Sequence, residues 1–256
     1  MRPVVTASVL LLLVATASAA EIAQVDRSGR IQAVNVEGEP VMVRTNLRIP
    51  TAGWTALPGL ESAKDLEVER KADATAWRGT IEPAKGCPFR VEQRLSEAEG
   101  ALHLAYRVTA DADAKTEGVY FWLDLPVARF GGGTCELLSG GRLLQTATMP
   151  KERAQPRHFA RAPADQTVVT GPDGTPVLTM SLDRQCHIQV QDNREWGNPS
   201  YSALVRFPRG PLAKGQTDQL KVTLRLSAQA DRTPAKLTLD ATKTRYRLDG
   251  FGGNYC

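Results

Sequence analysis

The sequence predicts an all-β protein, a large antiparallel β-sandwich with two extended sheets. Two observations lead to this prediction. Apolar and polar residues alternate with a period of two along many short segments, and turns rich in Gly and Pro separate those segments. Composition agrees, since 42% of the 256 residues are hydrophobic and 23% are charged, as is typical of a soluble globular protein.

The clearest element is a hairpin near residue 100. Apolar residues occupy alternate positions from Phe89 to Leu95 and again from Leu102 to Val108, with a turn predicted at 97–100. The intervening residues favour a helix by composition, but the stretch is short. The alternation on both sides therefore predicts two strands.

The same alternation recurs along the chain and gives about a dozen short strands, the number typical of a large sandwich. Turn residues separate these strands at 26–29, 37–40, 171–174 and 209–215. The remaining predicted strands are 31–36, 41–48, 66–70, 76–81, 118–125, 166–170, 176–182, 186–191, 200–207 and 219–226.

The chain divides into four predicted regions. Residues 1–20 have the pattern of a cleaved secretory signal, with Arg2, an apolar run at 4–17 and small residues at 17–19. The sandwich domain is expected over 21–227, a linker over 228–244 and a different segment over 245–256. The protein is therefore expected to be secreted or periplasmic, without membrane insertion.

Charge and composition give no indication of a nucleic-acid partner or a cofactor. The 32 basic and 28 acidic residues leave a net charge of +4, and the two signs are mixed along the chain. A weakly basic surface without a cluster of like charges is typical of many soluble proteins.

The four cysteines are interpreted as candidates for a disulfide. Export to an oxidising compartment favours disulfides, and the sequence contains no CxxC pair. We therefore expect no metal site and a bond between Cys135 and Cys186, although sequence alone cannot settle the connectivity. Cys87 and Cys256 remain unassigned.

The sequence predicts no catalytic residues in this chain. Asp124 alternates with apolar residues on a predicted strand, which indicates a polar row on the sheet. A sugar epimerase would need a histidine acid and a carboxylate base, and His103, His158 and His187 have no identifiable partner.

The best predicted binding segment joins two strands at residues 191–201. Its aromatic rings can stack on a sugar, and its amides and carboxylate can bond the hydroxyls. The alternative is a structural loop whose tryptophan caps the edge of the core. Trp54, between Pro50 and Pro58, has the same two interpretations, an exposed sugar contact or a structural residue. The candidate glycan contacts are Trp196, Tyr201, Asn193, Asn198, Asp192 and Trp54.

The string LDGFGGN at 248–254 resembles the first strand of the catalytic (β/α)₈ barrel in family 30 glycoside hydrolases, the glucosylceramidase and endoxylanase type. The resemblance implies that 245–256 is the truncated start of a barrel, whose acid and nucleophile carboxylates would lie beyond the chain. The stretch GVYFWLDLPV at 118–127 also looks like the sandwich modules that precede such barrels, including the supersandwich of galactose mutarotases.

These resemblances imply a non-catalytic accessory module of a secreted glycoside hydrolase. Its expected partner is a glycan or the catalytic domain of the same polypeptide. Two alternatives remain open: a stand-alone exported β-sandwich that binds another protein, and a mutarotase-like sugar epimerase. The sequence does not identify the sugar, the linkage or the oligomeric state.

Overall fold

The computed structural model describes residues 21–228 except 37, 114 and 209. The predicted signal at 1–20, nearly all of the predicted linker and the barrel-like segment at 245–256 lie outside the described residues. Within that described part, no helix is long and apolar enough to cross a membrane.

The described residues form antiparallel strands with one short α-helix, α1, at Val127–Phe130. The strands are β1 Glu21–Val25, β2 Ile31–Val36, β3 Glu39–Val41, β4 Arg44–Arg48, β5 Lys64–Arg70, β6 Thr75–Ile81, β7 Phe89–Ala98, β8 Ala101–Ala110, β9 Tyr120–Pro126, β10 Thr134–Ser139, β11 Arg142–Thr148, β12 His158–Thr170, β13 Val177–Asp192, β14 Ser200–Arg206 and β15 Thr217–Ser227.

Two layers of sheet face each other across the core. The large layer has the order β11-β10-β12-β13-β15-β8-β7-β6-β5. The small layer contains β14, β9 and β4 next to β13, because β14 pairs with both β13 and β9 and β9 pairs with β4. A separate sheet, β1-β2-β3, packs against β4 and β15. The predicted all-β sandwich is therefore confirmed.

The long hairpin β12–β13 belongs to both layers. The first part of β13, from Val177 to Leu182, pairs with β15 of the large layer. Its last part, from His187 to Asp192, pairs with β14 of the small layer. Pairing between β12 and β13 is irregular between Ala164 and Gln166, close to where the partner strand changes. The irregularity lets one hairpin bend from one layer into the other.

Apolar side chains from both layers meet in one core. Tyr106 of β8 contacts Phe121 of β9 with ring centroids 5.6 Å apart, so the two layers touch directly. Phe89, Leu123 and Val205 are almost completely buried in the same cluster. The alternation seen in the sequence thus places every second side chain of these strands in the core.

The predicted disulfide between Cys135 and Cys186 is wrong, since both thiols are free and buried. Cys135 lies opposite Val169 of β12, whereas Cys186 lies opposite Ala164 of the same strand. Those β12 positions are roughly 16 Å apart along the strand, while a disulfide needs Cα atoms within about 7 Å.

Candidate functional site

The outward side of the small layer carries an unusual set of polar side chains, here called the polar face. Strand registers arrange its residues in three rows that cross β4, β9, β14, β13 and β12 in that order. Row 1 is Arg44, Asp124, Ser202, Gln191 and His158; row 2 is Asn46, Trp122, Leu204, Gln189 and Arg161; row 3 is Arg48, Tyr120, Arg206, His187 and Pro163.

A small apolar cluster lies within this polar face. Tyr120, Trp122 and Leu204 are buried together, separately from the main core. The Arg48 guanidinium lies 5.4 Å from the centre of the Trp122 ring, and Trp54 contacts Tyr120 at 5.2 Å between ring centroids. An apolar patch surrounded by polar groups is the composition of a small-molecule site.

A chain of hydrogen bonds runs along row 1. His158 Nε2 donates to Gln191 Oε1 at 3.1 Å, and Gln191 Nε2 donates to Asn193 Oδ1 at 2.9 Å. Asn193 Nδ2 in turn donates to Ser202 Oγ. The chain continues through the Ser202 hydroxyl, which donates to Asp124 Oδ1.

The indole of Trp122 ends this network. Its Nε1–H lies 2.8 Å from Asp124 Oδ1 and 2.7 Å from Ser202 Oγ. Buried polar groups linked in this way hold one another in fixed orientations. The indole and the carboxylate are therefore fixed side by side at the edge of the apolar cluster.

Burial shifts the pKa values of Asp124 and His158 in row 1. Burial raises the pKa of Asp124, although bonds from Ser202 and Trp122 and the charges of Arg48 and Arg44 act in the opposite direction. Burial lowers the pKa of His158, helped by Arg157 and Arg161. A carboxylate of raised pKa in a polar site is a candidate for acid–base chemistry.

The two groups are too far apart to act on one sugar carbon. Asp124 and His158 are separated by three strand spacings of about 4.8 Å, or roughly 14 Å. Among the described residues, no ion pair joins a histidine to a carboxylate. The described part of the chain also lacks a cluster of three metal-ligating side chains. The arrangement is better suited to binding than to a paired acid and base.

The residues predicted to contact glycan fall into two groups in the structure, one exposed or half-buried and one buried. Trp196 is 57% exposed and stacks under the Arg157 guanidinium at 5.0 Å, so its role as a glycan contact stays a prediction. Asn198 is half-buried in the same loop. Trp54 is 41% exposed and borders row 3.

The other three predicted contacts are structural in this conformation. Tyr201 points into the core and is fully buried, and its hydroxyl donates to the Pro150 carbonyl at 2.6 Å. Asp192 is buried against Arg194 at 2.7 Å. Asn193 is buried in the row 1 network. All three side chains are buried and bonded within the protein, and their role as glycan contacts stays a prediction.

Sequence reasoning missed most of the polar face. It placed Asp124 in a polar row of a strand but did not pair that strand with its neighbours. The polar residues Ser200, Ser202 and Arg206 alternate with apolar ones on β14, as do those of β4. That shared alternation was the available signal.

The chain is similar to known proteins in its fold but not detectably in its sequence. No protein-family profile and no curated protein sequence match the chain. A galactose mutarotase-like protein from Lactobacillus casei has a TM-score of 0.52 and 12% identity, over 78% of this chain and 94% of its own. A galactose mutarotase-related enzyme from Lactobacillus acidophilus has a TM-score of 0.50 and 9% identity, over 82% and 95%.

A protein from Escherichia coli K12, described provisionally as an aldose 1-epimerase, has a TM-score of 0.51 and 12% identity, over 79% of this chain and 94% of its own. The chain has a mutarotase-like fold. The expected resemblance to an accessory region of family 30 glycoside hydrolases is wrong, because the similar structures are whole mutarotase-like proteins. That expectation depended on a short string at 248–254, which lies outside the described residues.

Proposed function

We propose that this chain binds a carbohydrate on its polar face, as a sugar-handling protein of mutarotase-like fold. The observation that carries the proposal is the set of polar side chains beside Trp54, which is 41% exposed and packs on the buried cluster of Tyr120, Trp122 and Leu204. A sugar ring presents apolar C–H groups that an aromatic surface accommodates. The amides and guanidiniums of the three rows supply donors for its hydroxyls.

The fold provides a second, separate support for the proposal. The similar structures are described, the first of them provisionally, as an aldose 1-epimerase, a galactose mutarotase-like protein and a galactose mutarotase-related enzyme, and this chain covers nearly the full length of all three. Identities of 9–12% show the fold alone, so the site must be tested directly.

The test is a titration of the full chain with common aldohexoses and their methyl glycosides, followed by NMR or calorimetry. Gln189→Ala, in row 2, should weaken binding about 3- to 10-fold, the usual effect of losing a hydrogen bond to a ligand. Gln219→Ala is the matched control, since Gln219 is exposed on the large layer opposite Arg107. Absence of binding at millimolar sugar, or equal effects of both variants, would reject the proposal.

A second candidate function is aldose epimerisation, which the raised pKa of Asp124 favours. A carboxyl group of raised pKa is better able to give a proton as well as to take one. Exchange NMR on an aldose should then show faster interconversion of its α and β anomers with protein than without. Asp124→Asn should abolish the acceleration and leave sugar binding in place. Interconversion at the buffer rate would reject this activity.

The chain is further proposed to act outside the cytoplasm, on the strength of the signal-like pattern at residues 1–20. Expression of the full coding sequence in a bacterial host, followed by fractionation and N-terminal sequencing, should find a product that begins near residue 20. An uncleaved cytoplasmic product would reject export.

A further inference from the structure

The polar face carries a strong excess of positive charge. Four arginines lie in its rows, at positions 44, 48, 161 and 206, against one carboxylate, Asp124. Acidic groups at the borders are already engaged, since Glu61 pairs with Arg48 at 3.4 Å and Glu195 with Arg157 at 3.4 Å. Of the row arginines, Glu61 therefore neutralises only Arg48, and among the described residues the other three form no such pair with a border carboxylate.

Three of these arginines have no carboxylate partner. Arg44, Arg161 and Arg206 form none of the ion pairs found among the described residues, and each lies in a different row. Unpaired guanidiniums on one face make the electrostatic potential of that face positive, which favours an anionic ligand.

Arg206 provides the sharpest observation. Its Nε–H is buried without a hydrogen-bond partner, which is a costly state for a charged group. The side chain lies against Gly118, where an added Cβ would approach Nε to 3.0 Å. Gly118 thus leaves room for the Arg206 side chain, whose Nε–H has no hydrogen-bond partner among the described residues.

We infer that the sugar bound on the polar face is acidic and carries a carboxylate, sulfate or phosphate group. This inference rests on the proposed sugar binding and adds the class of ligand. Guanidiniums bind such planar or tetrahedral oxyanions through paired N–H donors. The apolar cluster beside them would accommodate the ring of the same molecule.

The test compares neutral and acidic forms of one sugar on the full chain: glucose with glucuronate, glucose 6-sulfate and glucose 6-phosphate. The acidic forms should bind about tenfold more tightly than glucose, and added salt should reduce that advantage. The three acidic ligands separate the possible sources of the charge, because the best of them identifies the preferred oxyanion.

Variants then locate the effect. Arg44→Gln, Arg161→Gln and Arg206→Gln should each weaken binding of the preferred acidic sugar more than binding of glucose, and the largest loss, about 3- to 10-fold, is expected at the arginine nearest the oxyanion. Arg225→Gln is the matched control, since Arg225 is exposed on β15 of the large layer without an ion pair. Equal affinity for neutral and acidic forms overturns this inference but leaves sugar binding intact. If only Arg225→Gln weakens binding of the acidic sugar, the inference is overturned as well. If neither glucose nor any acidic form binds, the proposed function itself is overturned.

Discussion

Asp124 keeps its carboxyl group in surroundings that favour the protonated form. Burial raises its pKa, so the folded protein binds this proton more tightly than the unfolded chain does. By linkage, wild-type stability falls as the pH rises from the ordinary aspartate pKa through the raised pKa. The charged form is thus a destabilising feature of the folded state.

The first prediction follows from the direction of this change in stability with pH. Asp124→Asn removes the titration, so its stability relative to wild type should increase as the pH rises through this window. The asparagine oxygen can still accept from Ser202 and Trp122. Urea unfolding at several pH values measures the difference. Asp173→Asn, on an exposed turn, is the control, and a difference independent of pH would contradict the prediction.

Trp196 allows a second prediction at the same scale, because its side chain is largely exposed. Trp196→Ala should leave the melting temperature nearly unchanged. Trp77→Ala removes an indole that is only 6% exposed and should cost about 3 to 5 kcal/mol. If Trp196 contacts glycan, its truncation should weaken retention by an amount typical of one stacked ring, about 1 to 3 kcal/mol. A large stability loss in Trp196→Ala would show a structural role instead.

At the scale of elements, the sequence predicted some strands well and missed others. Strands with one apolar and one polar side, such as β7 and β8, were found because their alternation is complete. The strands β10 and β11 were missed, since their short runs are enclosed by glycines and resemble a turn-rich segment. β13 was divided in two because Asp183, Arg184 and Gln185 are exposed where it changes partner.

The missed hairpin β10–β11 gives the third prediction. Its turn contains Gly140 and Gly141, which both have positive φ, 56° and 78°, as a tight two-residue hairpin turn requires. Alanine at either position should cost about 1 kcal/mol, because L-residues adopt this region with strain. Gly210→Ala is the control, where an added Cβ meets open space and φ is not in that region. Urea unfolding that shows equal costs at all three positions would contradict the argument.

At the scale of the whole molecule, the fold class followed from the sequence but the site did not. Alternation identifies which residues lie on opposite sides of a strand, and Asp124 was placed correctly in this way. It does not identify which strands are neighbours. Asp124 lies beside Ser202 and Arg44 only after β9 has paired with β14 and β4, and these contacts join residues far apart in the chain.

The fourth prediction concerns the thiols of the folded molecule. Burial raises the pKa of the Cys135 thiol to about 12, so it should not react with thiol reagents in the native state. After unfolding without reductant, alkylation and peptide mapping should find both Cys135 and Cys186 labelled. A peptide in which they are joined by a disulfide would contradict the strand registers.

Because the hairpin β12–β13 belongs to both layers, it affects how the molecule unfolds. Neither layer can be separated from the other without breaking the hairpin that both contain. The two layers should therefore lose their structure in one cooperative step, and amide hydrogens of β14 and β15 should exchange through the same global opening. A fragment that contains only one of the two layers should therefore fail to fold on its own.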